Sequence, residues 1–255
     1  MMANVAYVRR PSQQLGDGLV THIERTPVDS ALAFKQWENY CDALSRFGWE
    51  IVELPPADEH PDGVFIEDAM VVFGDVAVIT RLGAPERRGE TEGLAEALSS
   101  TGLDVQQLPA GHLDGGDVLK IGSIAYVGLG GRTDRDGITA LEEMIAPRGW
   151  TVRPVPVTKV LHLKSAVTAL HDGTVIGYLP LVDDPSQFDA FAAVPEEHGG
   201  HVVLLDDSTA LMSDSAPLTA SLLRDRGLHI ECVDISEFER LEGCVTCLSV
   251  RVRAD

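Results

Sequence analysis

The chain has 255 residues, 44% of them hydrophobic, which is enough to bury a large core and to fold unaided. Its 40 acidic and 20 basic residues give a formal charge of −20, which would repel nucleic acid and anionic lipid and argues against both as partners. No segment reaches the ~20 consecutive apolar residues of a membrane span, and no basic stretch precedes an apolar run at the N-terminus, so we expect a cytoplasmic protein.

Along the chain, predicted helices alternate with short predicted strands that end in Pro or Asp. After an N-terminal strand, NVAYVRR, these strands are WEIVELP (49–55), LDVQQLP (103–109), WTVRPVP (150–156), HVVLLDD (201–207) and LHIECVD (228–234). Each follows closely after a glycine, as is typical where a helix ends and a strand begins. Apart from the last, they recur about every fifty residues, which indicates a repeated structural unit.

Hairpin-like pairs of strands lie between these elements. They are AMVVF and VAVIT, VLKI and IAYVG, and AVTAL and TVIGY, with turns at Gly74-Asp75, Gly122-Ser123 and Asp172-Gly173. The unit is therefore strand, strand, helix, strand, and pairing of NVAYVRR with the C-terminal CLSVRVR would complete a fifth unit. We expect an α/β fold, a five-bladed pseudo-symmetric α/β propeller of ββαβ units, as one domain over residues 1–255. We expect its fourth unit to be abbreviated around ALMSDSAPL, and a doubly wound sheet is the alternative.

Two of the four cysteines, Cys244 and Cys247, form a Cys-x-x-Cys sequence in LEGCVTCLSV. With only Cys41 and Cys232 besides, they are too few for a disulfide framework, and we expect free thiols. A zinc site would need a second pair of ligands at recognisable spacing, and a redox pair would begin a helix, whereas CLSVRVR alternates like a strand. Residues three apart on a strand face opposite sides, so we expect these two thiols not to share a site.

Other ionisable residues stand in apolar or glycine-rich surroundings. His162 lies in the apolar stretch TKVLHLKSAV, and we select it as the acid or base for a nucleophilic cysteine, with a buried structural histidine as the alternative. Asp114 and Asp117 flank two glycines in AGHLDGGDVL, and Glu67 and Asp68 interrupt the apolar FIEDAMVVF, where buried acids need partners. The basic residues that could form ion pairs or hold a substrate carboxylate are Arg87, Arg88 and Arg132.

Six motifs occur in an order that resembles the dimethylarginine dimethylaminohydrolases of the guanidino-group modifying superfamily. They are FIEDAMVVF, ITRLGAPERRGE, HLDGGDVL, GLGGRT, VLHLKS and EGCVTCLSVR, and the resemblance covers nearly the whole chain. It implies the five-fold propeller and hydrolysis of asymmetric dimethylarginine and monomethylarginine to citrulline and dimethylamine or methylamine. The reaction would pass through a covalent thiouronium intermediate on the cysteine, without a metal or organic cofactor.

The resemblance also implies a role for each matching residue. Cys247 would be the nucleophile, His162 the general acid and base, and Asp114 an acid that orients the guanidinium. Asp62 and Asp68 would contact the guanidinium side, and two arginines would hold the substrate's α-carboxylate. The residues implied to bind the substrate are Leu19 of a mobile lid, Asp62, Glu67, Asp68, Arg87, Arg132 and Glu242.

Three positions depart from the family's usual pattern. Leu82 and Glu86 stand where many relatives read ITRPGAPSRR, and we expect them to alter the rim of the pocket. Glu242 precedes Gly243, close to the place where relatives often carry an aspartate that helps to bind the substrate's amine. We expect these departures to change substrate affinity rather than the chemistry.

The expected partner is a small cationic guanidino substrate, and a homodimer is one option for the assembly. Zinc is expected only as an inhibitor that captures Cys247 and His162. Three other functions stay open: an arginine deiminase, a non-catalytic binder of arginine derivatives, and a zinc or redox module built on CVTC. The chain lacks the length for the deiminases' helical insertion, and a binder has no need of a nucleophile.

Overall fold

The fold is built from short strands in groups of three. The computed structural model describes residues 4–254. In chain order, the strands are β1 (Asn4–Val8), β2 (Trp49–Glu53), β3 (Met70–Phe73), β4 (Val76–Ile79), β5 (Asp104–Gln107), β6 (Val118–Ile121), β7 (Ile124–Leu129), β8 (Thr151–Pro156), β9 (Val167–Ala169), β10 (Val175–Gly177), β11 (Phe191–Ala193), β12 (Val202–Leu204), β13 (Thr209–Ser213), β14 (His229–Val233) and β15 (Val250–Val252).

These strands form five sheets, ordered β15-β1-β2, β3-β4-β5, β6-β7-β8, β9-β10-β11 and β12-β13-β14. In every sheet the middle strand pairs antiparallel with the first and parallel with the third. The predicted α/β propeller is therefore confirmed. The doubly wound sheet is excluded for residues 4–254, since each sheet there has three strands.

The ring closes as predicted, because the first and last strands pair. In the antiparallel register of β1 and β15, Val5 lies opposite Val252 and Tyr7 opposite Val250. The two ends of the described chain thus share one sheet, and this sheet brings the C-terminal cysteines beside elements from the beginning of the chain.

The helices are α1 (Ser30–Arg46), α2 (Ile66–Ala69), α3 (Leu94–Leu98), α4 (Arg135–Ile145), α5 (Pro217–Asp225) and α6 (Ser236–Glu239). The carboxylate of Asp29 caps α1 by accepting from the N–H groups of Ala31 and Leu32. The buried face of α1 includes Tyr40, whose hydroxyl bonds the carbonyl of Val245 (2.9 Å). The helix thereby supports the cysteine segment. In residues 4–254, no helix is long and apolar enough to cross a membrane.

One strand has a different place in its unit from the one the sequence predicts. Gly48, Gly102, Gly149 and Gly227 all have positive φ and precede the third strands β2, β5, β8 and β14. Gly200 does not have a positive φ, and HVVLLDD after it forms β12, which begins a unit by pairing antiparallel with β13. A glycine before a strand marks a helix end only where the turn needs the left-handed conformation.

The abbreviated unit is also elsewhere than expected. ALMSDSAPL contains most of β13 and the start of α5, so its unit is complete. Between β10 and β11, in contrast, the chain makes only the short 3-10 turns Leu179–Leu181 and Pro185–Gln187. The prediction of an abbreviated unit around ALMSDSAPL is therefore wrong.

Candidate active site

Most of the predicted site residues line one enclosed pocket. Its wall includes Leu19, Asp62, Asp68, Arg87, Arg132, His162, Glu242 and Cys247. Of the other two, Asp114 is fully buried and Glu67 lies on the wall of a second cavity. The pocket has about 10 Å³ of free volume, which is close to the space of one water molecule. The pocket is therefore closed, and an amino-acid substrate can enter only when part of its wall moves.

The two cysteines share a tight turn instead of lying on a strand. The N–H of Cys247 donates to the carbonyl of Cys244 (3.1 Å), and β15 begins only at Val250. The two Sγ atoms are 3.3 Å apart, so the prediction that the thiols do not share a site is wrong. Strand alternation does not apply, because the chain reverses at this point. All four cysteines are free thiols, as expected.

Contact between the two sulfurs changes their acidity. Their hydrogen bond lowers the pKa of Cys244 and raises that of Cys247, so the pair as a whole gives up its first proton more readily than a lone buried thiol would. The backbone N–H of Cys244 also donates to Cys247 Sγ (3.4 Å). This donor favours the negative charge on Cys247, which is the cysteine that faces the pocket.

His162 lies between two carboxylates. Its Nε2 hydrogen-bonds Asp114 Oδ2 (2.9 Å), and its Nδ1 is 3.7 Å from Asp68 Oδ1. Burial alone would lower the pKa of His162, but Asp68, then Asp114 and Asp117, raise it to about 9. The imidazole is therefore protonated near neutral pH and is ready to act as a general acid.

Asp114 lies behind His162 rather than on the pocket wall. Its Oδ1 accepts from the N–H of Gly83 (2.7 Å), and its Oδ2 bonds the imidazole. With no exposed surface, the carboxylate fixes the orientation and charge of the imidazole. This position differs from the expected contact with a substrate guanidinium.

The two glycines of HLDGGD allow close approach of the backbone rather than an unusual backbone angle. A Cβ on Gly115 would come within 2.0 Å of the carbonyl oxygen of Glu67, and one on Gly116 within 2.7 Å of His162 Nδ1. The N–H of Gly116 donates to Asp68 Oδ1 (3.0 Å). The missing side chains therefore let the imidazole and Asp68 come together.

The two predicted carboxylate-binding arginines have different surroundings. Arg87 donates to Asp68 (2.8 Å) and makes two bonds to Glu90 (2.7 and 2.9 Å). Arg132 is buried, its Nη1 has no hydrogen-bond partner within residues 4–254, and its nearest carboxylate is Asp114 at 3.9 Å. A buried N–H group without a partner is costly, and a carboxylate in the pocket would satisfy it.

The loop at residues 15–22, which we expect to act as the lid, is bound to two carboxylates of the pocket. The N–H of Leu19 donates to Asp62 Oδ2 (3.0 Å). The side chain of Glu242 accepts from the N–H groups of Thr21 (2.6 Å) and His22 (2.8 Å). Glu242 has φ +62°, alone among the described non-glycine residues in having positive φ. Its carboxylate thus binds backbone N–H groups of the lid and is not free to bind the amine of a substrate.

Two polar residues that the sequence did not indicate, Lys164 and Thr246, support this site. Glu67, next to Asp68, turns away from the pocket and forms an ion pair with Lys164 (2.7 Å), while Thr246 donates to its other oxygen (2.7 Å). Asp117 accepts from the N–H of Leu163 (2.9 Å) and so holds the backbone beside His162. Lys164 and Thr246 lie within the motifs VLHLKS and GCVTC. The motifs therefore include both residues, but the sequence does not indicate that they contact Glu67.

The expected changes at the pocket rim are not seen at Leu82 or Glu86. Leu82 is fully buried, Glu86 is exposed, and neither lines the pocket. Ligand atoms of Asp68, Asp114 and His162 lie within 4.8 Å of one another, as a metal site requires. However, N–H donors occupy these carboxylates and the pKa of His162 is raised, a pattern typical of a protonated imidazole between two acids.

Comparison with known proteins places these features in a family. No protein-family model matches the chain. It is 58% identical to N(G),N(G)-dimethylarginine dimethylaminohydrolase of Streptomyces coelicolor, over 99% of this chain and 98% of the relative. The chain is 31% identical to the protein of the same name from Pseudomonas aeruginosa, over 95% of this chain and 97% of that relative. A structure of the Pseudomonas aeruginosa protein, a cysteine-to-serine mutant with citrulline, superposes with a TM-score of 0.90 over 99% and 100% of the two chains.

Proposed function

The chain belongs to the dimethylarginine dimethylaminohydrolase family, and we propose that its closed pocket hydrolyses asymmetric dimethylarginine and monomethylarginine to citrulline and dimethylamine or methylamine. One observation carries the proposal: Cys247, His162, Asp62 and Asp68 line the same pocket. Attack on a resonance-stabilised guanidinium needs a nucleophile, an acid for the leaving amine, and negative charge to hold the cation. The pocket supplies all three.

Charge and geometry orient the substrate in this pocket. Asp62 and Asp68 offer carboxylate oxygens to the guanidinium, and the unpaired Nη1 of Arg132 receives the α-carboxylate. Arg87 helps to keep Asp68 ionised: against the effect of burial, the imidazolium of His162 and then the guanidinium of Arg87 lower the pKa of this carboxyl. Arg87 is thus a positioning residue, whereas Arg132 contacts the substrate.

In the first half of the reaction, Cys247 Sγ adds to the guanidinium carbon and forms a C–S bond. The imidazolium of His162 gives its proton to the methylated nitrogen, and the C–N bond to dimethylamine or methylamine breaks. A thiouronium remains on Cys247. His162 is now neutral, and Asp114 holds its ring in place.

In the second half, neutral His162 removes a proton from water, and the resulting hydroxide adds to the thiouronium carbon. Collapse of this adduct breaks the C–S bond and releases the thiolate, and loss of the hydroxyl proton to solvent leaves the neutral ureido group of citrulline. The imidazole is protonated again and ready for another cycle. Cys247, His162 and the pocket carboxylates carry out these steps without a metal or organic cofactor.

The test is to measure the amine released from asymmetric dimethylarginine and from arginine, supplied separately. We expect dimethylamine and citrulline from the first and little ammonia from the second, and none of these products from Cys247→Ser. Faster release of ammonia from arginine would replace this function with that of an arginine deiminase. Turnover of neither substrate by the folded protein would leave a binder of arginine derivatives.

A further inference from the structure

A second and much larger cavity runs along the axis of the propeller. It has a volume of about 420 Å³, and the first strand of every sheet, β3, β6, β9, β12 and β15, contributes to its wall. We call this cavity the axial channel. Glu67 and Thr246 line it, whereas their neighbours Asp68 and Cys247 line the pocket. The channel and the pocket therefore lie back to back.

The axial channel is basic in a chain that is otherwise strongly acidic. Its ionisable lining residues are Lys120, Lys164, Arg251, Arg253 and a single carboxylate, Glu67. In the whole chain, acidic residues outnumber basic ones by 40 to 20. In this cavity the basic residues instead outnumber the acidic ones by four to one. Like charges held together in a fold raise its free energy unless a counter-charge is present.

The single carboxylate is already shared by two of these cations. Glu67 Oε1 is 2.7 Å from Lys164 Nζ and 3.8 Å from Arg251 Nη2. Lys120 Nζ donates only to the carbonyl of Val72 (2.6 Å), and no carboxylate within residues 4–254 forms an ion pair with it. Within the described residues, the positive charge of Lys120 is therefore not neutralised by a carboxylate.

The acidity of Lys120 agrees with an uncompensated positive field. Lys120 is exposed to the channel, but desolvation by the surrounding walls, followed by the charges of Lys164 and Arg251, lowers its pKa to about 8. An anion near Lys120 would oppose both effects, because it would stabilise the ammonium form.

We propose that the axial channel binds a small multivalent oxyanion of the phosphate type, held by Lys120, Lys164 and Arg251. Three N–H donor groups around one anion match the oxygens of a phosphate, and the volume of the channel admits a group larger than phosphate itself. Such an anion would compete with Glu67 for Lys164, at the wall that separates the channel from the pocket.

The first test is calorimetric titration of the full-length protein with inorganic phosphate, at an ionic strength kept constant with chloride. We expect saturable binding, and at least a tenfold rise in Kd for Lys120→Met, which removes the charge but keeps the length of the stem. Lys35→Met, at an exposed position on α1, is the matched control and should bind as the wild type does. Equal affinity of the wild type and Lys120→Met would overturn the proposal.

A second measurement on the unmodified protein avoids any effect of the substitution on folding. The lowered pKa makes Lys120 reactive with an acylating reagent near pH 8, and phosphate should slow its modification, read by mass spectrometry, at least fivefold relative to Lys35. Equal protection by chloride at the same ionic strength would show charge screening only and would also overturn the proposal. Neither measurement uses turnover, so failure here is distinct from failure of the proposed hydrolase activity.

Discussion

The pocket and the axial channel are built from the same short segments, yet their charges differ: the pocket combines three acids with three basic residues, whereas the channel has four basic residues and one acid. Asp68 and Cys247 face the pocket, whereas the residues immediately before them, Glu67 and Thr246, face the channel. The pocket is closed and has about 10 Å³ of free volume, while the channel has about 420 Å³. A shift of one residue in either segment would place Glu67 or Thr246 in the pocket instead of Asp68 or Cys247, so the local backbone register decides which groups line the pocket.

The wall between the two cavities is itself polar. Glu67 bonds Lys164 and Thr246 on the channel side, and its N–H donates to the carbonyl of Cys247 (3.2 Å). These bonds fix α2 and the cysteine turn relative to each other. Substitutions of residues that face the pocket should therefore have large effects on activity, and substitutions in the wall or the lid should have smaller ones.

The largest effect should separate the two cysteines. Cys247→Ser should lower kcat by at least about 10³-fold, because a serine hydroxyl is far less ionised than a thiol near neutral pH. Cys244→Ser should keep most of the activity, because its hydroxyl still donates to Cys247 Sγ. Steady-state rates, with Cys232→Ser at an exposed position as the control, will distinguish them. Equal loss in both variants would restore a paired redox or zinc site.

A thiol-alkylating reagent gives the same comparison without a substitution at the nucleophile. Alkylation should occur at Cys247 and should be slowed by a substrate analogue, and a chelator should leave the activity unchanged. In Cys244→Ala the pH midpoint of alkylation should rise by about 1 unit, because a hydrogen bond to a charged group is worth about 1.5–3 kcal/mol. Added zinc should inhibit by binding Cys247 and His162.

His162→Ala should lower kcat by about 10²- to 10⁴-fold while the protein stays folded. The pKa of the imidazole is raised from 6.5 to about 9 in the folded protein. Its protonation therefore stabilises the fold fully below pH 6.5, and this contribution is lost as the pH rises to about 9. The difference in melting temperature between the wild type and His162→Ala should shrink over that range. A large fall in stability with normal turnover would make His162 a structural residue.

Substitution should affect the two arginines differently, although the sequence predicts the same role for both. Arg132→Ala should raise KM by about 10- to 100-fold with little change in kcat, as expected for loss of a charged hydrogen bond. Arg87→Ala should instead lower the free energy of unfolding by about 3–5 kcal/mol, because it leaves the buried Asp68 and Glu90 without their partner. Kinetics and thermal unfolding, with the partly exposed Arg153→Ala as control, measure both. A normal KM for Arg132→Ala would place the carboxylate elsewhere.

The fold was predictable where local chemistry determines it. Glycines at helix ends indicated β2, β5, β8 and β14, and Gly-containing turns indicated three hairpins. The same rule failed at Gly200, because the sequence alone does not distinguish a glycine at a helix end from one that lies close to another backbone. In the structure, Gly200 lies against Ala166 and Gly177, contacts that only the assembled propeller provides.

The site was predictable from its motifs as a set of residues but not as a set of contacts. The cysteine turn depends on α1, because the Tyr40 hydroxyl holds Val245 from 205 residues away along the chain. No local pattern indicates such a bond, and the sequence alone therefore predicts strand alternation at both cysteines. Likewise, the sequence shows that Arg87 and Arg132 are present but not how they are bonded. In the structure, Arg87 is paired with Glu90 and Asp68, whereas Arg132 has an N–H group without a partner among the described residues.

The smallest effect should come from a substitution that loosens the lid. The lid covers the pocket, whereas the channel has no such cover within residues 4–254. Glu242 accepts hydrogen bonds from Thr21 and His22 and keeps the loop over the pocket. Glu242→Gln removes the charge but keeps one acceptor oxygen, so the closed state should lose roughly 1 kcal/mol, which is about fivefold in the population of the open lid. KM should change only a few-fold, because the lid must open and close in every cycle.

The sharper measurement for the lid is the rate at which a bulky reagent alkylates Cys247 in the absence of substrate. Glu242→Gln should raise this rate about fivefold, because the reagent reaches the sulfur only when the lid is open. Glu24→Gln, an exposed glutamate next to the same loop, should leave the rate unchanged. If both variants react at the wild-type rate, Glu242 does not hold the lid, and its left-handed backbone at φ +62° must serve the cysteine turn instead.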